Sequence, residues 1–293
     1  MVGERGWRRN ATLALFILPS LVPLALFTLG PMAASVVISL LRWDLLRPAK
    51  FIGLGNYSAL LADPDFKAAV LHTLVFILGY LPLVYLGGLG LALLVNQKLR
   101  GSSFFRSAYF LPVVTSWVVV ALVWRWLLNP QTGVVNAALD LVGIQGPGWW
   151  TDPAWALPSI ILASAWKDLG FVMVILLAGL QAIPEEYYEA AEVDGAGRRA
   201  RFRHVTMPLL SSSSFFVLVI SLINSFQVFD QVWVMTGGGP AGASSVVVEQ
   251  IVRNAFSYNK MGYASAMSWV LFAAILAVTV VQFRLQRRWV SYV

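Results

Sequence analysis

Long apolar runs separated by short polar segments set the pattern of this chain. A helix needs about 20 predominantly apolar residues to cross the hydrocarbon core of a bilayer. Six stretches meet that length with few or no charges, at about 11–41, 69–96, 107–128, 155–182, 209–229 and 261–283. The first exceeds one crossing, so it includes an extramembrane turn, and Pro19, Pro23 and Pro31 break it. Pro82 and Pro112 fall inside later stretches. Proline is tolerated there only where neighbouring helices cover the freed carbonyls, which argues for a packed bundle. The pattern predicts an all-α integral membrane protein of six transmembrane helices, with residues 1–293 forming a single transmembrane domain.

The polar segments orient the spans, because cytoplasmic loops carry the excess of Lys and Arg. One alternating set holds Arg5, Arg8, Arg9, Lys98, Arg100, Arg106, Arg198, Arg199, Arg201, Arg203, Arg284, Arg287 and Arg288, thirteen residues. The other holds Arg42, Arg47, Lys50, Lys67, Arg253 and Lys260, six residues. The asymmetry predicts that both termini and the 184–208 loop are cytoplasmic. Trp7, Trp43, Trp124, Trp149, Trp150, Trp155, Trp233 and Trp289 stand near span ends, as interfacial aromatic belts require.

Composition narrows the class further. Apolar residues make up 58% of the chain and charged residues only 12%, against roughly 25% charged in ordinary soluble domains, so a water-soluble fold has no place for this much apolar surface. The net charge of +7 comes from basic residues in short runs between apolar stretches rather than a continuous patch, which argues against nucleic acid as a partner. With no Cys, disulfides, thiolate metal sites and cysteine nucleophiles are excluded. The first apolar run far exceeds a signal-peptide core of about 7–15 residues and is expected to be retained.

The most polar stretch runs from Pro184 to His204, acidic first (Glu185, Glu186, Glu189, Glu192, Asp194) and basic afterwards. It reads as a short helix opened by Pro184 with acids at its positive end, a break at Gly195 and Gly197, and a second short helix; Pro208 then opens the fifth span. Glu189-Ala190-Ala191, three residues, Gly195, nine residues, then Val205-Thr206-Met207-Pro208 resembles the EAA signature of ABC importer permeases, E-A-A-x3-G-x9-I-x-L-P. Val205 and Met207 stand where the family pattern has Ile and Leu. In that family the loop is a coupling helix that docks into a cleft of the ATP-hydrolysing subunit. The resemblance therefore implies coupling roles for Glu189, Ala190, Ala191, Asp194, Gly195 and Pro208.

Further matching segments cover nearly the whole chain: Ile52 to Tyr57, Phe104 to Arg106, Trp126 to Pro130, Trp166-Lys167 with Gly170-Phe171, and Phe229-Asp230 through Met235 to Pro240. They are similar to the subfamily importing di- and oligosaccharides and glycerol phosphates, and within it to the first permease of the pair. The resemblance implies the type I importer permease bundle, whose first span is peripheral to a five-helix core in relatives. It also implies a second homologous permease, two copies of an ATP-binding subunit, an extracytoplasmic solute-binding protein, and residence in a bacterial or archaeal cytoplasmic membrane. This chain has no Gly-x4-Gly-Lys-Ser/Thr phosphate loop, so no cofactor is expected in it; ATP and Mg are expected in the partner ATPase subunits.

Polar residues inside spans mark the expected solute path. Lys167 and Asp168 interrupt the fourth span, and Asn224, Gln227 and Asp230 mark the fifth. Such groups are expensive in lipid and should face a cavity, a partner helix or one another. Helices of the subfamily line the path at these positions, making Trp166, Lys167, Asp168, Asn224 and Gln227 the candidates; structural pairing of Lys167 with Asp168 is the competing reading. A secondary transporter is the alternative class. It would be expected to carry intramembrane acids or histidines for proton chemistry, and His72, near an outer span end, reads as a satisfied interfacial histidine. Segment 237–263, with a Gly/Pro turn and helix-like apolar spacing, is expected on the outer side, either as a lid or against the binding protein.

Overall fold

The computed structural model describes residues 6–97 and 101–290. Arg5, Lys98 and Arg100 of the charge pattern lie outside the described residues, as do the side chains of Trp7, Arg8, Arg9, Arg288 and Trp289. Four helical stretches are long and apolar enough to cross a membrane: Thr12–Ser39, Pro64–Asn96, Pro153–Gln181 and Met261–Arg287. Two helix pairs qualify as bent spans, Phe104–Val114 with Trp117–Leu127 at 101° and Arg198–Leu209 with Ser211–Phe226 at 63°. Counting each pair once gives the six expected spans, but the third and fifth are broken rather than straight.

The described residues fall into two compact units. The first comprises the residues up to Asp63 together with Ile251–Val270. Helix α1 (Trp7–Leu24) continues through a π-helical turn at Ala25–Leu29 into α2 (Gly30–Ser39). From Thr12 to Ser39 this stretch carries no charged residue and exposes Phe16 and Phe27, as suits a helix facing lipid. A two-residue hairpin follows, β1 (Leu41–Arg42) against β2 (Lys50–Phe51), leading into α3 (Gly55–Ala62). The Ile52-to-Tyr57 motif has a local physical role. Gly53 takes φ +57°, and the buried Asn56 amide donates to the carbonyl of Ser39 (2.7 Å), which the end of α2 leaves without a helical partner, and to that of Leu41 (2.9 Å) in β1. Within the same unit, Trp269 Nε1 donates to Ser35 Oγ at 3.1 Å and Tyr263 OH to Asp63 at 2.5 Å.

The second unit comprises Pro64–Gln250 and the residues from Leu271 onward. Its centre is the pair α4 (Pro64–Asn96) and α8 (Pro153–Gln181), which pack along much of their length. Glycines permit the approach: a Cβ on Gly88 would stand 2.4 Å from Val172 Cγ1, and one on Gly87 2.5 Å from Leu169 Cδ2. Close contact through small residues is the usual way helices associate where the solvent is itself apolar. α8 starts cleanly, with the Asp152 carboxylate accepting from the Ala154 N–H at 2.9 Å and Pro153 in the first turn.

Around this pair lie α5 (Ser102–Val114), α6 (Trp117–Leu127), α7 (Val134–Asp140) and α12 (Ser211–Phe226). The short α13 (Asp230–Met235) packs against α6. α14 (Val247–Val252) and α15 (Met261–Trp289) complete the chain. At the α5–α6 bend Thr115 and Ser116 are extended, with ψ near 140°, just after Pro112. Segment 237–263 buries Val246, Val247 and Glu249 and exposes Phe256.

Candidate functional site

The bend between α5 and α6 leaves carbonyls without helical partners inside an apolar stretch, and in lipid an unsatisfied polar group costs several kcal/mol. Lys167 answers this need. Its side chain is buried, its ammonium donates to the Val113 carbonyl at 3.0 Å, and it lies 4.7 Å from the ring centre of Trp117. A cation at the C-terminal end of α5 also complements the helix dipole. The adjacent Asp168 points elsewhere, accepting from Tyr80 OH on α4 at 2.7 Å. The expected alternative, that Lys167 and Asp168 simply pair, is not what the geometry emphasises: each has its own partner on a different helix.

Asp168 opens onto a cavity of about 400 Å³, within the range of roughly 300–1,000 Å³ common for small-molecule sites. Asn224 and Gln227, at the end of α12, line it as well. The structure therefore brings together three of the five candidate path residues. Lys167 stays outside the lining and braces Trp117, which is in it. Trp166 also stays outside; it is half-exposed and packs edge-on against Trp124 at 5.7 Å. On a helix, consecutive residues diverge by about 100°, so Trp166 and Asp168 cannot share a face.

Other lining residues are less legible in the sequence. Phe76 and Tyr80 stack at 5.4 Å on α4 and form an aromatic wall, with nothing in that apolar run to single them out. Asp230, which the sequence already marks as polar, and Gln231 lie at the start of α13 and add polar groups; buried Gln231 donates to Ser164 Oγ at 3.3 Å. His72 Nδ1 donates to the Ser245 carbonyl at 2.9 Å, a satisfied histidine away from the cavity lining.

The 184–208 loop forms a second site. α9 (Glu185–Val193) ends in a Schellman turn. The Gly195 N–H reaches the Glu192 carbonyl at 3.0 Å and the Ala196 N–H reaches Ala191 at 2.8 Å, with Gly195 at φ +77°. α10 (Arg198–Arg201) follows, then a π-helical turn at Phe202–Thr206 and α11 (Met207–Leu209), with Pro208 in its first turn. Arg201 bridges back to Glu192 at 3.0 Å, and the Tyr188 and Thr206 hydroxyls share a hydrogen bond at 3.1 Å. Glu189, Ala190 and Asp194 are exposed, Ala191 is half-buried, and Val193 is 89% exposed.

The model of the family described as binding-protein-dependent transport system inner membrane component matches residues 84–291. The probable ABC transporter permease YurN of Bacillus subtilis (strain 168) is 38% identical over 275 residues, covering 92% of this chain and 94% of the relative. The sulfoquinovosyl glycerol transport system permease SmoG of Agrobacterium fabrum is 36% identical, covering 93% of this chain and 89% of the relative. Among solved structures, a chain of the bacterial alginate ABC transporter in complex with alginate pentasaccharide-bound periplasmic protein superposes with a TM-score of 0.85 at 25% identity, covering 97% of this chain and 98% of that one.

Proposed function

This chain belongs to the family of binding-protein-dependent transport system inner membrane components, and from that premise we propose that it forms one half of the passage of an importer for a sugar or related polyol solute. It is the membrane permease of an ABC importer, a multi-pass protein of the inner membrane, and not the subunit that hydrolyses ATP. In the proposed complex a second homologous permease supplies the other half of the passage. Two ATP-binding subunits, which hold ATP and Mg, dock on the 184–208 loop, and an extracytoplasmic binding protein delivers the solute. Both termini lie in the cytoplasm of a bacterium or archaeon, as the Lys/Arg asymmetry supports.

The observation that carries the coupling reading is the ordered α9 turn with Glu189 and Val193 turned outward. Gly195 reverses the chain, and the Arg201–Glu192 and Tyr188–Thr206 contacts tie α9 to the segment entering α12. That helix, 16 residues long, spans about 24 Å and has Asn224 near its far end, with Gln227 just beyond. A displacement of the loop by the ATPase is thereby delivered to the cavity wall. The polar groups of the cavity beside an aromatic wall suit a hydroxyl-rich solute, and the names of SmoG and of the alginate importer favour the same class.

The test is Glu189→Ala in the purified complex. Glu189 has no hydrogen bond or ion pair among the described residues, so its removal spares the internal structure while depriving a partner cation of its counter-charge. Binding-protein-stimulated ATP hydrolysis and uptake should fall together. Parental rates of both would remove the basis for the coupling role.

A further inference from the structure

A second cavity, of about 450 Å³, lies in the same unit between the end of α6, the turn preceding α8 and the Gly-rich segment after α13. Its charged lining residue is Arg125; Trp150, Thr151, Trp233, Thr236 and Pro240 are among the others, and no carboxylate lines it. The Arg125 guanidinium lies 4.9 Å from the ring centre of Trp150, and its Nη1 donates to the Val234 carbonyl at 3.2 Å. Among the described residues it has no acidic partner. Guanidinium offers five N–H donors in a rigid fork, and among the described residues one of them is used. Trp150 Nε1 is buried without a hydrogen-bond partner among the described residues, and a buried donor left unpaired is costly. A cation seated on an aromatic face, with donors to spare and no counter-ion, is prepared for an oxyanion.

Its position relates it to the solute cavity. α6 carries Trp117 in the inner cavity and Arg125 in this one, eight residues and so about 12 Å apart along the axis. α13 likewise extends from Asp230 at the inner cavity to Trp233 and Met235 here. Phe229, in the inner lining, contacts the Trp233 ring at 5.6 Å. The Lys/Arg asymmetry places this end of the bundle on the outer side. We infer that this cavity is an outer receiving subsite in which Arg125 grips an oxyanion, a carboxylate or phosphate, of a polyhydroxylated solute while the indoles of Trp150 and Trp233 support its carbon skeleton. The subsite biases the importer toward acidic solutes before they reach the cavity at Asp168.

A lipid phosphate offers the same oxyanion, so the test separates the two sources. The inference rests on the importer reading, and binding is measured without ATP so that a coupling defect does not affect it. The chain, purified with its co-expressed partners in a maltoside detergent, is examined by saturation-transfer NMR with glycerol 3-phosphate, glucuronate, glycerol and glucose. The two anions should bind and compete with each other. Arg125→Gln should weaken both at least tenfold, and Arg125→Lys should retain part of the affinity, showing that charge rather than folding is read. Equal anion binding by Arg125→Gln, or none by the parent, overturns the inference. Phospholipid retained by the parent, lost in Arg125→Gln and not displaced by glycerol 3-phosphate assigns the cavity to a headgroup and also overturns it. Displacement of such a lipid by the probe supports it.

Discussion

Gly195 can be tested against a second glycine of the loop, Gly197, two residues further on and equally uncrowded. Neither Gly195 nor Gly197 has any atom within 4 Å of the place where a Cβ would be built, so steric crowding is absent at both. Gly195, however, has φ +77°, whereas Gly197 has φ −68° and ψ 171°, open to any residue. For an L-residue the left-handed region costs roughly 1–2 kcal/mol, which lowers the population of the docking-competent turn by a factor of about 5–30. Asn tolerates that region better than Ala because its side chain bonds locally. Binding-protein-stimulated ATP hydrolysis by the purified complex should therefore rank Gly197→Ala close to the parent, Gly195→Asn below it, and Gly195→Ala lowest. Equal rates for the two alanine variants would refute the claim that the Schellman turn presents the coupling helix.

Three further outcomes follow from the second unit and the topology. Gly170→Ala should lower the thermal stability of the detergent-purified chain by roughly 1–3 kcal/mol, because its Cβ would stand 2.0 Å from the Tyr109 carbonyl oxygen; Gly90→Ala, with open space, should instead hold or raise it. Tyr80→Phe removes the hydroxyl that donates to Asp168, a hydrogen bond to a charged group worth about 1.5–3 kcal/mol, and should reduce solute-stimulated hydrolysis on the order of tenfold with assembly intact; unchanged stimulation would make that contact incidental. Since the chain lacks cysteine, single cysteines report topology cleanly: Gln145→Cys should react with an impermeant thiol reagent in intact cells and Arg199→Cys should not, and the reverse pattern contradicts the orientation.

What the sequence discloses and what it hides follow from different physics. The spans were legible because a bilayer imposes a length and an apolar content on each helix, and these appear directly in the residues. The α9 turn was legible because a helix stop with a left-handed residue favours glycine, and Gly195 stands at that position. The bends were not, because Pro112 in a helix is compatible with a kink or a straight path, and the broken end is satisfied by Lys167 donating to Val113 and Thr115 donating to Leu111 and Pro112. Asp168, Asn224 and Gln227 stand out as polar groups in apolar runs, and they meet in one cavity. Trp166 shared their neighbourhood in sequence but not their face of α8. Tyr80 and Phe76 escaped notice because aromatic residues in a transmembrane run carry no mark of which neighbour they face.

In the proposed complex the 184–208 loop is where this permease receives work from a separate ATPase. Val193, exposed at the tip of α9, tests it most directly. A photo-crosslinking residue placed there in the assembled complex should trap an ATP-binding subunit in high yield, while the same residue at Val142, exposed at the end of the bundle assigned to the outer side, should not. Crosslinking of the ATP-binding subunit from position 142 and none from position 193 would contradict the account.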